Sequence, residues 1–233
     1  MGMEQKAKSR LSAEQLRWIA EDGYTVAPPC LDLQALCELC AVLDTSHAGE
    51  RNLLEIPIIR QTARSDAIRD LAEAVLGSGC FAVRGILFNK TDGTNWKVTW
   101  HQDCVISVAD RTEIPGWGPW SIKAGVNHVR PSSEIVSRML AIRIHLDECG
   151  AENGPLRVIP GSHKHGFLSD RQIQDWPKTE AVTCTANRGD AILMRPLLLH
   201  SSPPATVPSS RRVIHLEFAA EELPNGAEWK DRV

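Results

Sequence analysis

Three His-x-Asp/Glu triplets are the feature of this sequence best suited to binding a metal. With 8 histidines and 29 acidic residues in 233 positions, chance alone produces about one such triplet. The three are His101-Gln102-Asp103, His145-Leu146-Asp147 and His215-Leu216-Glu217. Each falls in a segment with strand character, where residues i and i+2 lie on one face of a sheet. Each triplet therefore predicts an imidazole and a carboxylate that project together.

The first triplet best meets the needs of a non-haem iron site. Such a site takes a His and a carboxylate from one strand and a second His from elsewhere, and it leaves coordination positions open. His200 follows the apolar segment 191–199, which we expect to be one buried strand that delivers this imidazole to the site. Arg211 opens the next predicted strand and offers a bidentate cation for the far end of a dicarboxylate cosubstrate. We predict His101, Asp103 and His200 as metal ligands and catalytic centre.

A rival metal site would use His145 and Asp147 with His200 or His215. This assignment leaves the first triplet without a role. A second rival, the His163-x-His165 fragment, lacks the Glu that a cupin-type motif places four to five residues later, so we interpret residues 160–163 as a tight turn.

Alternation along the strand 211–219 distinguishes Arg211 from Arg212. Arg211 shares a face with His215 and Glu217, whereas Arg212 lies on the opposite face, which is otherwise apolar. A polar face turned toward a site would carry Arg211.

The same alternation in segment 141–147 places Arg143 and His145 on one face. That face either lines the pocket or is exposed to solvent, and the pattern leaves both options open. In the pocket, Arg143 would favour an anionic substrate.

The elements that position these residues fall into two parts. Residues 11–77 read as helices, with a Ser12/Gln15 capping box, a second helix capped by Asp32 and a third capped by Ser65. From residue 80 onward, short alternating segments are separated by Gly, Pro and Asn, which predicts strands. The expected strands are 81–88, 97–108, 139–146, 156–159, 181–184, 191–199 and 211–219.

This pattern predicts a mainly β fold, a jelly roll of two antiparallel sheets with the N-terminal helices packed outside. We expect one domain over 11–233, with a helical part 11–77, a jelly-roll core 80–220 and a flexible terminus 1–10. The stretches 44–59 and 117–131 read as long connections that cover a site.

Tryptophan is over-used, with seven Trp against one Tyr. We expect Trp117 and Trp120, flanked by Gly and Pro, to form a lid over substrate, with Lys123 nearby. The other tryptophans that we expect to pack in the core are Trp18, Trp96 and Trp176.

Composition narrows the function classes. The net charge is -3, and neither sign of charge forms a long block, so a broad nucleic-acid footprint is not expected. No apolar run reaches the roughly 18 residues that cross a bilayer. Seven cysteines, an odd number in mostly apolar segments, indicate reduced thiols, and we expect the Cys37-x-x-Cys40 pair to pack in the core. We expect a soluble, cytoplasmic protein, and the oligomeric state is left open.

Several motifs in the same order along the chain resemble the phytanoyl-CoA dioxygenase-like branch of the iron(II)/2-oxoglutarate oxygenases. They are Trp100-His101-Gln102-Asp103, the segment Glu152-Asn153-Gly154-Pro155-Leu156-Arg157-Val158-Ile159-Pro160-Gly161-Ser162-His163, and His200 with Ser202 and Arg211. The resemblance implies a double-stranded β-helix with Fe(II) held by His101, Asp103 and His200. It also implies 2-oxoglutarate held at its distal carboxylate by Arg211 and Ser202. Lys90 is our suggestion for the second carboxylate.

The implied reaction consumes O2 and 2-oxoglutarate, releases succinate and carbon dioxide, and hydroxylates an unactivated C–H bond of a small or medium-sized molecule. Asp103 argues against halogenation, since related halogenases replace this carboxylate with a small residue. Two alternatives stay open: a zinc-dependent hydrolase or isomerase with the same ligands, and a catalytically silent binding module on the same fold.

Overall fold

The computed structural model describes residues 11–43, 48–91, 93–207 and 210–233. The expected flexible terminus 1–10 and part of the predicted connection 44–59 lie outside the described residues. The α-helices are α1 (Ala13–Glu21), α2 (Leu33–Val42), α3 (Pro57–Arg64), α4 (Asp66–Leu76), α5 (Ser133–Ser137) and α6 (Asp170–Asp175). None of the described helices is long and apolar enough to cross a membrane.

The strands form antiparallel sheets and confirm the mainly β prediction. They are β1 (Tyr24–Ala27), β2 (Gly49–Arg51), β3 (Phe81–Lys90), β4 (Val98–His101), β5 (Ile106–Val108), β6 (Trp120–Lys123), β7 (Val126–Val129), β8 (Leu140–His145), β9 (Leu156–Val158), β10 (Val182–Cys184), β11 (Ala191–Met194), β12 (His200–Ser202) and β13 (Arg211–Ala219). The major sheet has the order β1-β11-β8-β13-β3-β2, and the minor sheet β10-β9-β12-β4. A third sheet, β5-β7-β6, completes the described part.

The N-terminal helices cover one face of the major sheet, which we call the outer face. Side chains of α1 to α4 form a single buried cluster with that face, which includes Leu87, Ile142, Ile214 and Leu216. Each fully buried aliphatic side chain of this kind contributes about 1.5–3 kcal/mol to folding. The other face of the major sheet, the inner face, is turned toward the minor sheet, because residues of both sheets line one cavity.

The helix starts follow the sequence signals closely. The Ser12/Gln15 capping box is present, with the Ser12 hydroxyl accepting from the Gln15 amide at 3.1 Å. Asp32 caps α2 by accepting from the Ala35 amide at 2.8 Å. Ser65 precedes α4 as predicted, but its hydroxyl donates to Thr62 O instead of capping the helix.

The prediction that Cys37 packs in the core was wrong. Leu33 is 66% exposed and Cys37 is exposed, whereas Leu36, Leu39 and Leu43 are buried. Leu36, Leu39 and Leu43 are spaced three and four positions apart, so they lie on one face of α2. Cys37 lies about 100° away from Leu36 around the helix. Cys37 therefore does not pack in the core.

Two predicted strands are each split between sheets. In segment 97–108, β4 belongs to the minor sheet and β5 to the third sheet, so four residues between them leave the ladder. In segment 191–199, β11 ends at Met194 in the major sheet, and a turn at Arg195 carries the chain to β12. Pro196 cannot donate a ladder hydrogen bond, which favours the break. His200 therefore begins a strand of the minor sheet, contrary to our expectation that it ends the apolar one.

Both predicted connections contain regular structure. Segment 117–131 holds the β6–β7 hairpin, closed by Ala124 and Gly125 with φ values of 48° and 77°. Two successive positive φ values are typical of a tight hairpin turn. The sequence did not predict this turn, because its first position holds Ala and not the Asn, Asp or Gly that usually occurs there. Segment 44–59 contains β2, a 3-10 turn (Leu53–Glu55) and the start of α3.

The division into a helical and a β part was also too simple. β1 and β2 lie within 11–77 and pair with β11 and β3 at the two ends of the major sheet. The short helices α5 and α6 lie within the predicted β region, and α6 has its own capping box at Ser169.

Candidate metal and cosubstrate site

His101, Asp103 and His200, called the triad below, converge at the end of the minor sheet. His101 ends β4 and His200 opens β12, and the two are cross-strand partners in the ladder. The Nε2 atoms of His101 and His200 lie 3.8 and 3.6 Å from the two carboxylate oxygens of Asp103. Three potential ligand atoms within 4.8 Å of one another are close enough to share one metal ion.

The backbone sets the tautomer of both imidazoles. His101 Nδ1 lies 2.8 Å from Thr99 O, and His200 Nδ1 lies 2.8 Å from Leu198 O. A carbonyl oxygen only accepts, so each Nδ1 carries the proton and each Nε2 presents a lone pair toward Asp103. This is the tautomer that a metal ligand needs.

Protonation states in the triad also suit a metal. Burial, together with the neighbouring His101, lowers the pKa of His200 to about 3. Burial raises the pKa of Asp103, but His200, His215 and His101 outweigh it and hold the pKa well below its usual range. Neutral imidazole and ionised carboxylate are the forms that bind metal ions.

Gln102, the middle residue of the triplet, anchors the segment and was missed by the sequence reasoning. Its Nε2 donates to Leu197 O at 2.7 Å and Gly166 O at 2.9 Å, and its Oε1 accepts from the Leu168 amide at 2.8 Å. The bond to Leu197 ties the end of β4 to the turn before His200, and the other two bonds tie it to the segment 166–168. Its position as a polar residue between two predicted metal ligands was the signal that could have identified it.

The predicted tight turn at residues 160–163 supports the other side of the triad. Gly161 has a φ of 75°, and the Ser162 hydroxyl donates to Ile159 O at 2.7 Å. The same hydroxyl accepts from the Leu199 amide at 2.8 Å. Ser162 therefore fixes the residue immediately before His200.

A cavity beside the triad receives charged groups from both sheets. Its walls are Phe88, Trp96, Val98, His101, Asp103, Arg143, Leu156, His200, Ser201, Ser202 and Arg211. Arg211 Nη1 donates to Gly154 O and lies 3.5 Å from the Ser202 hydroxyl, which itself donates to Gly154 O at 2.8 Å. A Cβ on Gly154 would lie 2.7 Å from Pro203 O, so this close approach requires glycine.

Lys90 is the cross-strand partner of Arg211 and lies beside the same hydroxyl. Its Nζ donates to the Ser202 hydroxyl at 2.8 Å and to Pro203 O at 2.6 Å, and it lies 5.5 Å from the centre of the Trp96 ring. Burial lowers the pKa of Lys90 to about 8, and Arg211 adds to the effect.

Arg212 has a different partner. Its guanidinium donates to both carboxylate oxygens of Asp147 at 2.8 and 2.7 Å, and its backbone amide donates to the same carboxylate at 2.9 Å. The strand alternation thus placed Arg211, and not Arg212, in the cavity. Because its carboxylate is held by Arg212, Asp147 is not available to the rival metal site.

Arg143 lines the cavity, whereas His145 is buried without lining it. The Arg143 guanidinium lies 5.1 Å from the centre of the Phe88 ring, and its Nη1 donates to His215 Nδ1 at 3.0 Å. Burial lowers the pKa of Arg143 to about 10, and Arg211 adds to the effect. Of the two alternatives for Arg143, the structure therefore shows the one in which its side chain lines the pocket.

Asp103, His215 and Glu217 form a second group of possible ligands, of which His215 and Glu217 are held in a hydrogen-bonded chain. Arg143 only donates, so His215 accepts at Nδ1 and donates from Nε2 to Glu217 Oε1 at 3.2 Å. Glu217 also pairs with Arg84. Because the chain occupies its lone pair, His215 supports Arg143 instead of offering a ligand.

The tryptophans differ most from expectation. Trp96 lines the cavity and Trp18 is 39% exposed, so neither is a core residue as predicted. Trp117 and Trp120 are half-buried against the hydrophobic cluster that contains Ile106 and Val129, and Trp120 begins β6 although its Gly/Pro flank argued against a strand. Neither lines the cavity, and the lid role stays a prediction.

Comparison with known proteins agrees with this site. A family model described as phytanoyl-CoA dioxygenase matches residues 41–213. The chain belongs to the phytanoyl-CoA dioxygenase family. Membership confirms the resemblance carried by the sequence motifs.

One relative with a known family name matches only part of this chain. The phytanoyl-CoA dioxygenase domain-containing protein 1 homolog of Dictyostelium discoideum is 31% identical over 94 residues, 34% of each chain. The match thus spans about a third of that relative.

Solved structures share the fold along most of the chain. EctD from S. alaskensis, with 2-oxoglutarate and 5-hydroxyectoine, matches 93% of this chain and 79% of its own, with a TM-score of 0.67 and 21% identity. SnoN, a non-heme alpha ketoglutarate dependent epimerase from nogalamycin biosynthesis, matches 88% of this chain and 82% of its own, with a TM-score of 0.64 and 19% identity. Both confirm the predicted double-stranded β-helix.

Proposed function

We propose that this family member is an Fe(II)- and 2-oxoglutarate-dependent dioxygenase. The observation that carries the proposal is the triad, with both Nε2 lone pairs aimed at Asp103, beside a cavity that ends at Arg211. A metal-dependent hydrolase would use the same three ligands, but its reaction would leave the buried cations of the cavity without a function.

The triad would hold the iron. It supplies one carboxylate and two neutral imidazoles, which is the donor set of a facial site that leaves positions open for further ligands. When bound, iron(II) supplies the activation of O2 that couples decarboxylation of 2-oxoglutarate, to succinate and carbon dioxide, to oxidation of the substrate. The chain's own contribution is to hold each imidazole by its Nδ1–H and to fix the intervening backbone through Gln102.

Three cations, called the anchor cations, would hold the cosubstrate: Lys90, Arg143 and Arg211. The charges of 2-oxoglutarate, a dianion, match this cavity, where the buried guanidiniums of Arg143 and Arg211 have no carboxylate partner among the described residues. Arg211 and Ser202 would bind its distal carboxylate, and Lys90 lies against the same hydroxyl. EctD, which shares the fold, is described with 2-oxoglutarate bound.

The oxidation that we propose is hydroxylation of a C–H bond of a small or medium-sized molecule. Asp103 keeps a carboxylate where halide would have to enter, which disfavours halogenation. The fold alone does not select the outcome, since SnoN is described as an epimerase. The mass of the oxidised product distinguishes hydroxylation from other oxidation outcomes.

Anaerobic reconstitution tests the proposal. Fe(II) followed by 2-oxoglutarate should give the weak visible charge-transfer band of a chelated 2-oxo acid. Asp103→Ala should abolish the band and lower iron affinity by more than the roughly 10- to 100-fold that loss of a supporting residue costs. Asp147→Asn is the matched control and should keep both. Tight zinc binding without the band would favour the hydrolase, and loss of iron in the Asp147 variant would move the site to the rival triplet.

A further inference from the structure

Two cations outside the cavity, Arg51 and Lys123, are brought together by the fold. We call them the outer cation pair. Asn52, next to Arg51, donates from its side chain to Ala124 O at 3.2 Å, and Ala124 follows Lys123 in the hairpin turn. Asn52 and Ala124 both have positive φ, 61° and 48°. One hydrogen bond between two tight turns therefore fixes β2 against the tip of the β6–β7 hairpin.

A glycine in β3 sets the position of β2 and the turn that follows it. A Cβ on Gly85 would lie 3.0 Å from Leu53 Cβ and 3.4 Å from Leu54 Cγ. The absence of that atom lets the 3-10 turn pack directly on the sheet. Only Asn52 separates Arg51 from this packed turn, so the backbone of Arg51 lies close to buried residues although its side chain is exposed.

Strand register places Arg51 on the face of the major sheet that looks toward the triad, and it assigns Lys123 to one face of the hairpin. Arg51 is the partner of Ile86, and Ile86 is the partner of His215, so all three lie on the inner face of the major sheet. In the hairpin, Lys123 is the partner of Val126 and shares its face with His128. Trp120 lies on the opposite face of the hairpin.

The electrostatic influences on the two cations agree with this placement. Burial lowers the pKa of Lys123, and Arg51 and Arg84 lower it further, while Asp103 raises it. Burial lowers the pKa of Arg51, and Arg84 lowers it further, while Glu217 raises it. The two cations therefore lie in one electrostatic environment, which the charges of Arg84 and of the Asp103 carboxylate also influence.

No described carboxylate forms an ion pair with the outer cation pair, although the charges of Glu217 and Asp103 act on it. Across the described residues, neither Arg51 nor Lys123 lies within ion-pair distance of a carboxylate, and nearby Glu217 is already paired with Arg84. The pair does not line the cavity of the anchor cations, so 2-oxoglutarate bound there would leave this charge uncompensated. Like charges held together destabilise a fold unless a ligand of opposite charge offsets them.

We propose that Arg51 and Lys123 bind an oxyanion, the carboxylate or phosphoryl group of an anionic substrate, and hold that substrate beside the triad. This inference rests on the proposed function, because it needs the cosubstrate in the other cavity. A guanidinium and an ammonium from two different elements suit such a group, since each donates charge-assisted hydrogen bonds from its own direction.

Anion titration of the loaded protein tests the inference. The protein is loaded with Mn²⁺ in place of iron and saturated with 2-oxoglutarate, and both binding steps are measured first. Inorganic phosphate is then added, and Mn²⁺-induced relaxation of its ³¹P signal reports binding near the metal. Acetate, followed through its methyl ¹H signal, is the carboxylate arm. Equal affinity for the two probes assigns a carboxylate, and stronger phosphate binding assigns a phosphoryl group.

The double variant Arg51→Gln/Lys123→Gln should weaken anion binding by about tenfold or more, because it removes two charge-assisted contacts. Affinity for 2-oxoglutarate should not change. The matched control, Lys164→Gln/Arg171→Gln, removes two exposed charges elsewhere and should leave both affinities unchanged. Arg51→Lys/Lys123→Arg keeps both charges and should retain anion binding, which separates charge loss from misfolding.

Two results would overturn the inference. One is no relaxation effect from either anion while Mn²⁺ and 2-oxoglutarate bind normally. The other is anion binding that the double variant leaves intact, which would assign the anion to the metal itself. Failure of the loading step is a different result, since it refutes the proposed function and the inference with it.

Discussion

The two faces of the major sheet have opposite compositions. Along β13, Ile214 and Leu216 lie on the outer face under the helices, fully buried among aliphatic side chains. His215 and Glu217 alternate with them on the inner face, buried in a polar chain that runs to Arg143 and Arg84. One strand therefore serves two purposes, since its odd-numbered residues serve the site and its even-numbered residues serve the core.

The inner face is also strongly biased in charge. Within the described residues it carries more cations than acids, whereas a buried charge ordinarily needs a partner. The cations are Arg51, Arg84, Lys90, Arg143 and Arg211, and the acid is Glu217. We expect the missing negative charge to arrive with ligands. The outer face should therefore control folding stability, and the inner face should control ligand affinity.

Leu216→Ala should give the largest effect in this comparison. Removing a fully buried Leu from the outer face should lower the free energy of unfolding by about 2–5 kcal/mol, through lost burial and the cavity left behind. Denaturant unfolding measures the loss. Leu33→Ala, at a position 66% exposed, is the matched control and should change stability by about 0.5 kcal/mol or less. Equal losses in the two variants would contradict the role assigned to the outer face.

Arg211→Ala, on the inner face, should weaken 2-oxoglutarate binding by about 10- to 100-fold while iron stays bound. Anaerobic titration of the charge-transfer band measures the affinity. The neighbouring Arg212→Ala breaks only the partly exposed pair with Asp147, so it should cost about 1 kcal/mol of stability and no affinity. If the Arg212 variant lost cosubstrate affinity instead, the assignment of the two faces would be reversed.

The pH dependence of 2-oxoglutarate binding should give the smallest effect. Burial lowers the pKa of Lys90 to about 8, so Lys90 is charged below that pH and can pair with a carboxylate. Above it Lys90 is neutral in the free protein, and binding must take up a proton. Affinity should therefore fall by about three- to tenfold between pH 7 and pH 9. Lys90→Arg, which stays charged, should flatten the profile; an unchanged slope would exclude Lys90 from the cosubstrate site.

Local sequence signals predicted much of the fold and of the site. The capping residues of α1 and α2 act within a few positions of themselves, so their helices begin where the sequence indicated. Alternation along β13 has a period of two and needs no knowledge of distant residues, so it distinguished Arg211 from Arg212 correctly.

Predictions failed where distant parts of the chain decide the outcome. Segment 191–199 is uniformly apolar, and nothing in its pattern marks the point where the chain leaves the major sheet for the minor one. Trp96 and Trp18 are the same residue type, and no local pattern distinguishes their surroundings. Only the packing of other elements brings Trp96 to the cavity and leaves Trp18 exposed.

The sequence by itself determined which residues have the chemistry for this site: two imidazoles, a carboxylate and several cations on strands of readable alternation. Only the tertiary structure decided that His200 meets His101 across a ladder, that Arg212 holds Asp147, and that Asn52 joins the turn after β2 to the hairpin tip. Residue type and periodicity are local properties, whereas coordination and charge balance depend on distances between groups that are far apart in the chain.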